Sequence, residues 1–273
     1  MAAYNAPIRE INFALQQYAD IPRIATLPGF EDATPDTVEA ILEEAGRLAR
    51  DVIGPLNQTG DVQGSVLENG VVRTPDGFAE AWKQYAEGGW TGIPFEPEIG
   101  GQGLPMSLAM AAFEIWSAAN MSFGMCPMLN QGAIEAIRHH GSDELKAIYL
   151  EKMVTGQWVG TMNLTEPNAG SDLGVMRSRA ALQSDGSYRI KGSKIFISYG
   201  DHEWTENIVH LVLARTEGAP EGSRGISLFI VPKYLVNDDG LLGERNDVRC
   251  VSLEEKMGIH ASPTCVMAYG DDD

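Results

Sequence analysis

Cysteine is scarce, with Cys126, Cys250 and Cys265 the only three in the sequence. An odd number with no two at CxxC spacing supports neither a disulfide framework nor a zinc ribbon, so a reducing, cytoplasmic setting is expected. Positive charge is also scarce. Twenty Lys and Arg stand against 38 Asp and Glu, a formal net charge of −18. Such a chain lacks the basic face that nucleic acid or an anionic membrane surface requires. A phosphate-bearing small molecule stays open, because backbone N–H groups hold phosphate without net charge. No run approaches the roughly 18 apolar residues of a membrane span. The most apolar stretch, 104–125, is broken by Pro105, Ser107, Glu114, Ser117, Asn120 and Ser122. The first ten residues lack the apolar segment of a signal peptide.

Several catalytic patterns are absent as well. None of the five histidines, His139, His140, His202, His210 and His260, forms HExxH or joins a cysteine cluster. All five read as structural. Gly100-Gly101-Gln102-Gly103 fails GxGxxG, since Pro105 stands where the pattern would continue, and a tight loop between helices is the better reading. Ser171 lacks the GxSxG elbow and a nearby base, which argues against a hydrolase.

The 273 residues suggest about two domains at ~150 residues each. The first part reads as helices. Thr34-Pro35-Asp36 is a helix start, and Val38, Ile41, Leu42, Ala45, Leu48, Ala49 and Val52 follow at helical spacing up to Pro55. Further helices are expected over 76–87, 105–121, 131–140 and 143–155. Near Gly156 the pattern changes to short strands rich in β-branched and aromatic residues, over 158–164, 175–182, 188–191, 195–198, 208–214, 226–231, 248–253 and 264–269. Gln183-Ser184-Asp185-Gly186-Ser187 is a hairpin turn. No helical pattern alternates with these strands, so the fold class is α+β: an all-helical domain, then an antiparallel β barrel or sandwich. The division is an N-terminal arm at 1–35, a helical domain at 36–155 and a β domain at 156–273. The closing Asp271-Asp272-Asp273 is too short to be an acidic tail.

Two segments are informative. Met162-Asn163-Leu164-Thr165-Glu166-Pro167-Asn168-Ala169-Gly170-Ser171-Asp172 leaves a strand and offers N–H groups and small hydroxyls, with Gly170 permitting close approach. Lys194-Ile195-Phe196-Ile197-Ser198 sets an aromatic and a hydroxyl two apart on one strand face, a pairing that suits a flat heteroaromatic ligand. Alone, the first is equally an ordinary connecting loop, and the second equally an aromatic in a barrel core. Together they resemble the signature of the acyl-CoA dehydrogenase family. Pro97-Glu98-Ile99-Gly100-Gly101, Arg224-Gly225-Ile226-Ser227-Leu228-Phe229-Ile230-Val231-Pro232 and Glu255-Lys256-Met257-Gly258-Ile259-His260-Ala261-Ser262-Pro263-Thr264 are similar to further segments of that family. The resemblance runs from about residue 36 onward and is nearest the longer bacterial branch, whose members act on fatty acyl-CoA and methylthiopropanoyl-CoA.

The resemblance implies a helical domain, a β barrel that binds FAD, and a C-terminal four-helix domain. By position, Met162, Leu164 and Thr165 would meet the flavin ring and its polar edge. Gly170 and Ser171 would lie where flavin and the thioester arm meet, with Ser171 the substrate-side contact. Phe196, Ile197 and Ser198 would complete the flavin site, Phe196 beside the ring and Ser198 near N5. The implied chemistry is α,β-desaturation of an acyl-CoA, with an electron-accepting flavoprotein as partner and a homo-oligomeric assembly. The catalytic carboxylate would belong to the C-terminal helical domain, while Glu166 has a structural part in the family. Since residues 1–273 close on a barrel strand, the expectation is the N-terminal part of a dehydrogenase, holding little flavin and incompetent for turnover by itself. The alternative is a non-catalytic flavin- or CoA-binding or interaction protein, or one half of a split enzyme.

Overall fold

A computed structural model describes residues 4–237 and 239–271. The acidic end 271–273 therefore lies mostly outside the described residues. The arm is helical, with α1 (Ile8–Gln17) and α2 (Ile21–Ile24). Next comes α3 (Pro35–Leu48), whose N-cap Thr34 accepts from the Thr37 N–H, running on as a π-helical turn at Ala49–Ile53. After α4 (Leu56–Gln63) the chain forms a hairpin, β1 (Val66–Glu68) and β2 (Val71–Arg73). This hairpin departs from the all-helical expectation. Its turn is Asn69-Gly70, both with positive φ (52° and 76°), the tight-turn geometry that Asn-Gly favours.

The helices continue with α5 (Phe78–Glu87), α6 (Met106–Ala119), α7 (Met121–His140) and α8 (Asp143–Val154). The helix expected over 131–140 begins ten residues earlier. Asn120 breaks α6 with extended backbone and caps α7 through its side chain, and Pro127 sits inside the longer helix. The glycine-rich stretch is the loop ahead of α6, held by Gln102 N–H to Gly92 O and Gly103 N–H to Phe95 O. Among the described residues, no helix is long and apolar enough to cross a membrane.

The second half holds β3 (Trp158–Asn163), β4 (Arg179–Leu182), β5 (Tyr188–Ser198), β6 (Asn207–Thr216), β7 (Ser227–Pro232), a small hairpin of β8 (Tyr234–Val236) and β9 (Leu242–Arg245), β10 (Val248–Leu253) and β11 (Thr264–Tyr269). The strands expected at 188–191 and 195–198 are one strand. The expected 175–182 strand is shorter, because Leu173–Val175 is a 3-10 turn.

The sheet corrects the barrel expectation in two ways. Pairing runs β10-β11-β5-β4-β6-β3, with β7 on the other edge of β6, and β7 and β10 do not meet among the described residues. It is an open, curled half-barrel. Nor is it wholly antiparallel, since β3 and β4 both lie parallel to β6. A parallel pair needs a long crossover. Here the β3-to-β6 crossover is built from loop and strands rather than a helix, which is why helix-strand alternation gave no warning of it. A cleft of about 1010 Å³ is lined by residues of α7 and of the sheet, among them Leu211, Ile230 and Tyr269.

The two halves share one core. Trp204, from the loop before β6, stacks on Trp82 of α5 (5.9 Å between centroids) and on Phe123 of α7 (5.8 Å). The same apolar cluster takes in Val159, Tyr199, Ile208 and Ala261 from the sheet half.

Candidate functional site

The two segments singled out in the sequence meet at the end of β3 and the end of β5. Three hydrogen bonds join them, and a fourth comes from Thr161, just ahead of the first segment. Thr161 Oγ1 donates to Ser198 O (2.7 Å), Ile195 N–H to Thr165 O (2.8 Å), and Lys194 Nζ to Leu164 O (3.1 Å) and to the Glu166 carboxylate (2.9 Å). Asn163, fully buried at the end of β3, is fixed by the Tyr269 hydroxyl at 2.6 Å.

Beyond Asn163 the loop is self-braced. Glu166 and Ala169 exchange both backbone hydrogen bonds around Pro167-Asn168. The Glu166 carboxylate also accepts from the N–H groups of Arg177 (2.6 Å) and Ser178 (3.0 Å). Burial works to raise its pKa, but these donors and Lys194 outweigh it and hold the carboxyl below its ordinary value. Burial likewise pulls the Lys194 ammonium below its ordinary value, against the pull of Glu166. Held by two backbone N–H groups and Lys194, Glu166 braces the loop. Farther along, Asp172 accepts from Gly174 N–H (2.8 Å), and Arg215 of β6 donates to the carbonyls of Gly174, Met176, Pro220 and Gly222.

On β5 a bulge alters the alternation. Lys194 pairs with Met267 and Ile197 with Cys265, so Ile195 and Phe196 together oppose Val266. Phe196 takes φ +60°, rare for a bulky residue, and the residue is 59% exposed. Ser198 is half-buried.

The expected site residues divide clearly. Leu164, Gly170, Ser171 and Phe196 are exposed, and Met162, Thr165 and Ser198 are half-buried. The Ile197 side chain points the other way, into the sheet core, so only its main chain faces outward chemistry. Gly170 stands beside the Thr165 methyl, which is 3.8 Å from where a Cβ would sit. The arrangement offers a bare aromatic face, an apolar edge and a row of small hydroxyls.

Sequence reasoning missed Lys194, Thr161, Tyr199 and Arg215 as supports, and read His210 as structural without naming what it holds. Lys194 had a signal, a lysine at a core-facing strand position some thirty residues from a buried acid. His202 is buried, and burial, then Lys233, then His210 push it down to about 3, so it stays neutral. The Asp201–Lys233 ion pair (2.6 Å) lies against it.

Comparison with known proteins agrees in fold and sequence. Residues 35–157 match the acyl-CoA dehydrogenase N-terminal domain, and residues 161–271 match the middle domain of the same family. The chain is 50% identical over 266 residues to a 3-methylmercaptopropionyl-CoA dehydrogenase of Ruegeria pomeroyi, covering 97% of this chain and 45% of that protein. It is 38% identical over 275 residues to a butyryl-CoA dehydrogenase of Syntrophomonas wolfei, covering 99% of this chain and again 45% of the relative. It thus spans about half the length of these relatives. The solved butyryl-CoA dehydrogenase of Megasphaera elsdenii superposes with a TM-score of 0.68 at 24% identity, over 86% of this chain and 55% of that one.

Proposed function

The chain belongs to the acyl-CoA dehydrogenase family, and on that premise we propose that it holds FAD against the two joined segments and serves the α,β-desaturation of an acyl-CoA thioester. The observation that carries this reading is the cross-bonded pairing of 161–166 with 194–198, which brings the segment of exposed Phe196 and half-buried Ser198 against that of Leu164 and Thr165. That donor set fits a flat heteroaromatic group. Phe196 offers a face, Met162 and Leu164 an apolar edge, and Thr165 and Ser198 hydroxyl donors for a polar rim. Gly170 and Ser171 would lie where flavin and the thioester arm meet, with Ser171 on the substrate side. Ile197 would contribute main chain alone. When bound, FAD supplies the hydride-accepting chemistry of the desaturation.

The α-proton needs a carboxylate in a dry site. Glu166 is not that group, because its oxygens are already taken by two N–H donors and Lys194. On the family resemblance the base lies outside residues 1–273. An electron-accepting flavoprotein partner, a homo-oligomeric assembly and a cytoplasmic location belong to the same reading. So does a division into an arm (1–35), a helical domain (36–155) and a flavin-binding sheet domain (156–273). The names of the two relatives make short acyl-CoA thioesters, with or without a thioether, the first substrates to assay.

The test is FAD titrated into the purified protein, read by flavin absorbance and by quenching of flavin fluorescence. A saturable change that Phe196→Ala and Ser198→Ala each weaken supports the reading. A spectrum identical to free FAD at every concentration, alone and with the C-terminal half of the Ruegeria pomeroyi relative added, overturns it. No acyl-CoA turnover is expected from residues 1–273 by themselves.

A further inference from the structure

The end of β5 is held in a conformation its residues do not favour. Phe196 and Tyr199, neither of them glycine, both take positive φ (60° and 52°), and they bracket Ile197 and Ser198. Such backbone persists only where its surroundings over-determine it. Here the surroundings can be named. Tyr199 N–H donates to Pro263 O (2.7 Å), and the Tyr199 hydroxyl donates to Ser122 O in α7 (2.5 Å). Thr161 holds Ser198 O from the other side. Gly200 presses so closely on β11 that a Cβ there would lie 2.8 Å from Met267 Sδ.

The remaining fastener is His210, at the centre of β6 and 1% exposed. Its Nε2 lies 2.7 Å from Gly200 O, and its Nδ1 lies 3.0 Å from Val231 O on β7. Both partners are acceptors, and a neutral imidazole has one proton to give. Burial draws the ring pKa below its ordinary value, against the pull of both carbonyls and Asp201, and so works toward the neutral ring. Of the two contacts, the one to Gly200 O is the shorter. The charged and titratable groups around the ring are Asp201 and His202 in the turn after β5, Lys233 after β7, and Tyr269 on β11.

We propose that His210 is a positioning residue for the Phe196–Ser198 edge, acting through an Nε2–H hydrogen bond to the carbonyl of Gly200. It touches no ligand itself. It keeps the strained turn closed, and with it the placement of Phe196 and Ser198. That these two residues face flavin rests on the function proposed above; the fastening of the turn does not.

Two variants separate the parts. His210→Phe keeps the bulk and removes both nitrogens. His210→Gln restores one donor. Amide hydrogen exchange at Tyr199 and Gly200 should speed about tenfold in His210→Phe and recover most of that in His210→Gln, while β10, in the same sheet, is unchanged. FAD affinity should fall about three- to tenfold in His210→Phe, what one net hydrogen bond is worth, and recover in His210→Gln. Wild-type exchange at Tyr199 and Gly200, or equal acceleration in β10, overturns the proposal. If the wild-type protein takes up no FAD, the function reading fails and exchange alone decides the positioning. If His210→Phe does not fold, ring nitrogen NMR of the wild-type protein decides: a protonated Nε2 between about pH 6 and 8 supports the proposal, and an unprotonated Nε2 overturns it.

Discussion

Lys194 and Glu166 stand behind the candidate site almost without solvent, at 0% and 3% side-chain exposure. Removing one partner of such a pair leaves a buried charge unmatched, a loss of about 3–5 kcal/mol. Lys194→Met should therefore cost about that much in urea denaturation. A loss below about 1 kcal/mol would mean that water reaches the pair. The Glu166 carboxyl is held below its ordinary value, so the folded state binds its proton more weakly than the unfolded chain does. Its contribution is thus present above about pH 4.3 and fades as pH falls through the lower folded value. The stability gap between wild type and Glu166→Gln should narrow as pH is taken below about 4. Phe196 sets up an opposed pair of effects. Glycine tolerates φ +60°, so Phe196→Gly should raise stability by up to about 1 kcal/mol. The same change removes the exposed ring, and FAD affinity should fall about tenfold. A variant that gains Tm and keeps FAD affinity would detach Phe196 from the site.

At the scale of elements, most of what a period could reveal was legible. The helix at α3 began at its Thr34-Pro35 signal, and β10 and β11 fell where their β-branched and aromatic composition placed them. What escaped has particular causes. The β1–β2 hairpin hid in a region read as helical, although Asn69-Gly70 between apolar residues was its signal. The long α7 was obscured because Gly124 and Pro127 argue locally against helix, and tertiary packing overrode them. The open sheet could not be read at all, since closure depends on whether β7 meets β10, a contact between distant strands that no local pattern records. The candidate site was legible as two segments and the supports behind it were not, because Lys194, His210 and Arg215 act through tertiary hydrogen bonds. Trp204 shows the same limit. Its ring enters the helical core, stacks on Trp82 and Phe123, and donates Nε1–H to Thr74 Oγ1 at 2.7 Å. Trp204→Ala should cost about 3–5 kcal/mol and uncouple the halves. A thermal melt followed by far-UV circular dichroism should split from one transition into two. A single unshifted transition would show that the shared core does not depend on this ring.

For the molecule as a whole, a second seam ties the helical half to the sheet half at the loop between β10 and β11. Ser65 N–H donates to His260 O (2.9 Å), and Ser65 Oγ donates to Ala261 O (2.7 Å). His260 itself faces acceptors on both sides, Asp61 of α4 at 2.7 Å from Nδ1 and Lys256 O at 2.8 Å from Nε2. His210 has the same two-acceptor pattern, yet the outcomes differ because of solvent. Burial draws His210 below its ordinary pKa, whereas His260, with its side chain 39% exposed, escapes most of the desolvation penalty. The Lys256 carbonyl and then Asp61 stabilise its charged form and raise its pKa above the ordinary value. A raised folded-state value binds the proton more tightly in the folded chain. The contribution is therefore fully present below about pH 6.5 and is lost as pH rises through the folded value. Asp61→Asn removes the anionic partner, and the seam should then lose most of this pH dependence. The Tm of wild type should exceed that of Asp61→Asn at about pH 5.5, and the two should converge by about pH 9. The gap should also shrink in high salt, since the pair is open to solvent. A gap that stays constant from acid to alkaline pH would place the effect of Asp61 in packing rather than in its charge, and would leave the seam to the Ser65 hydrogen bonds alone.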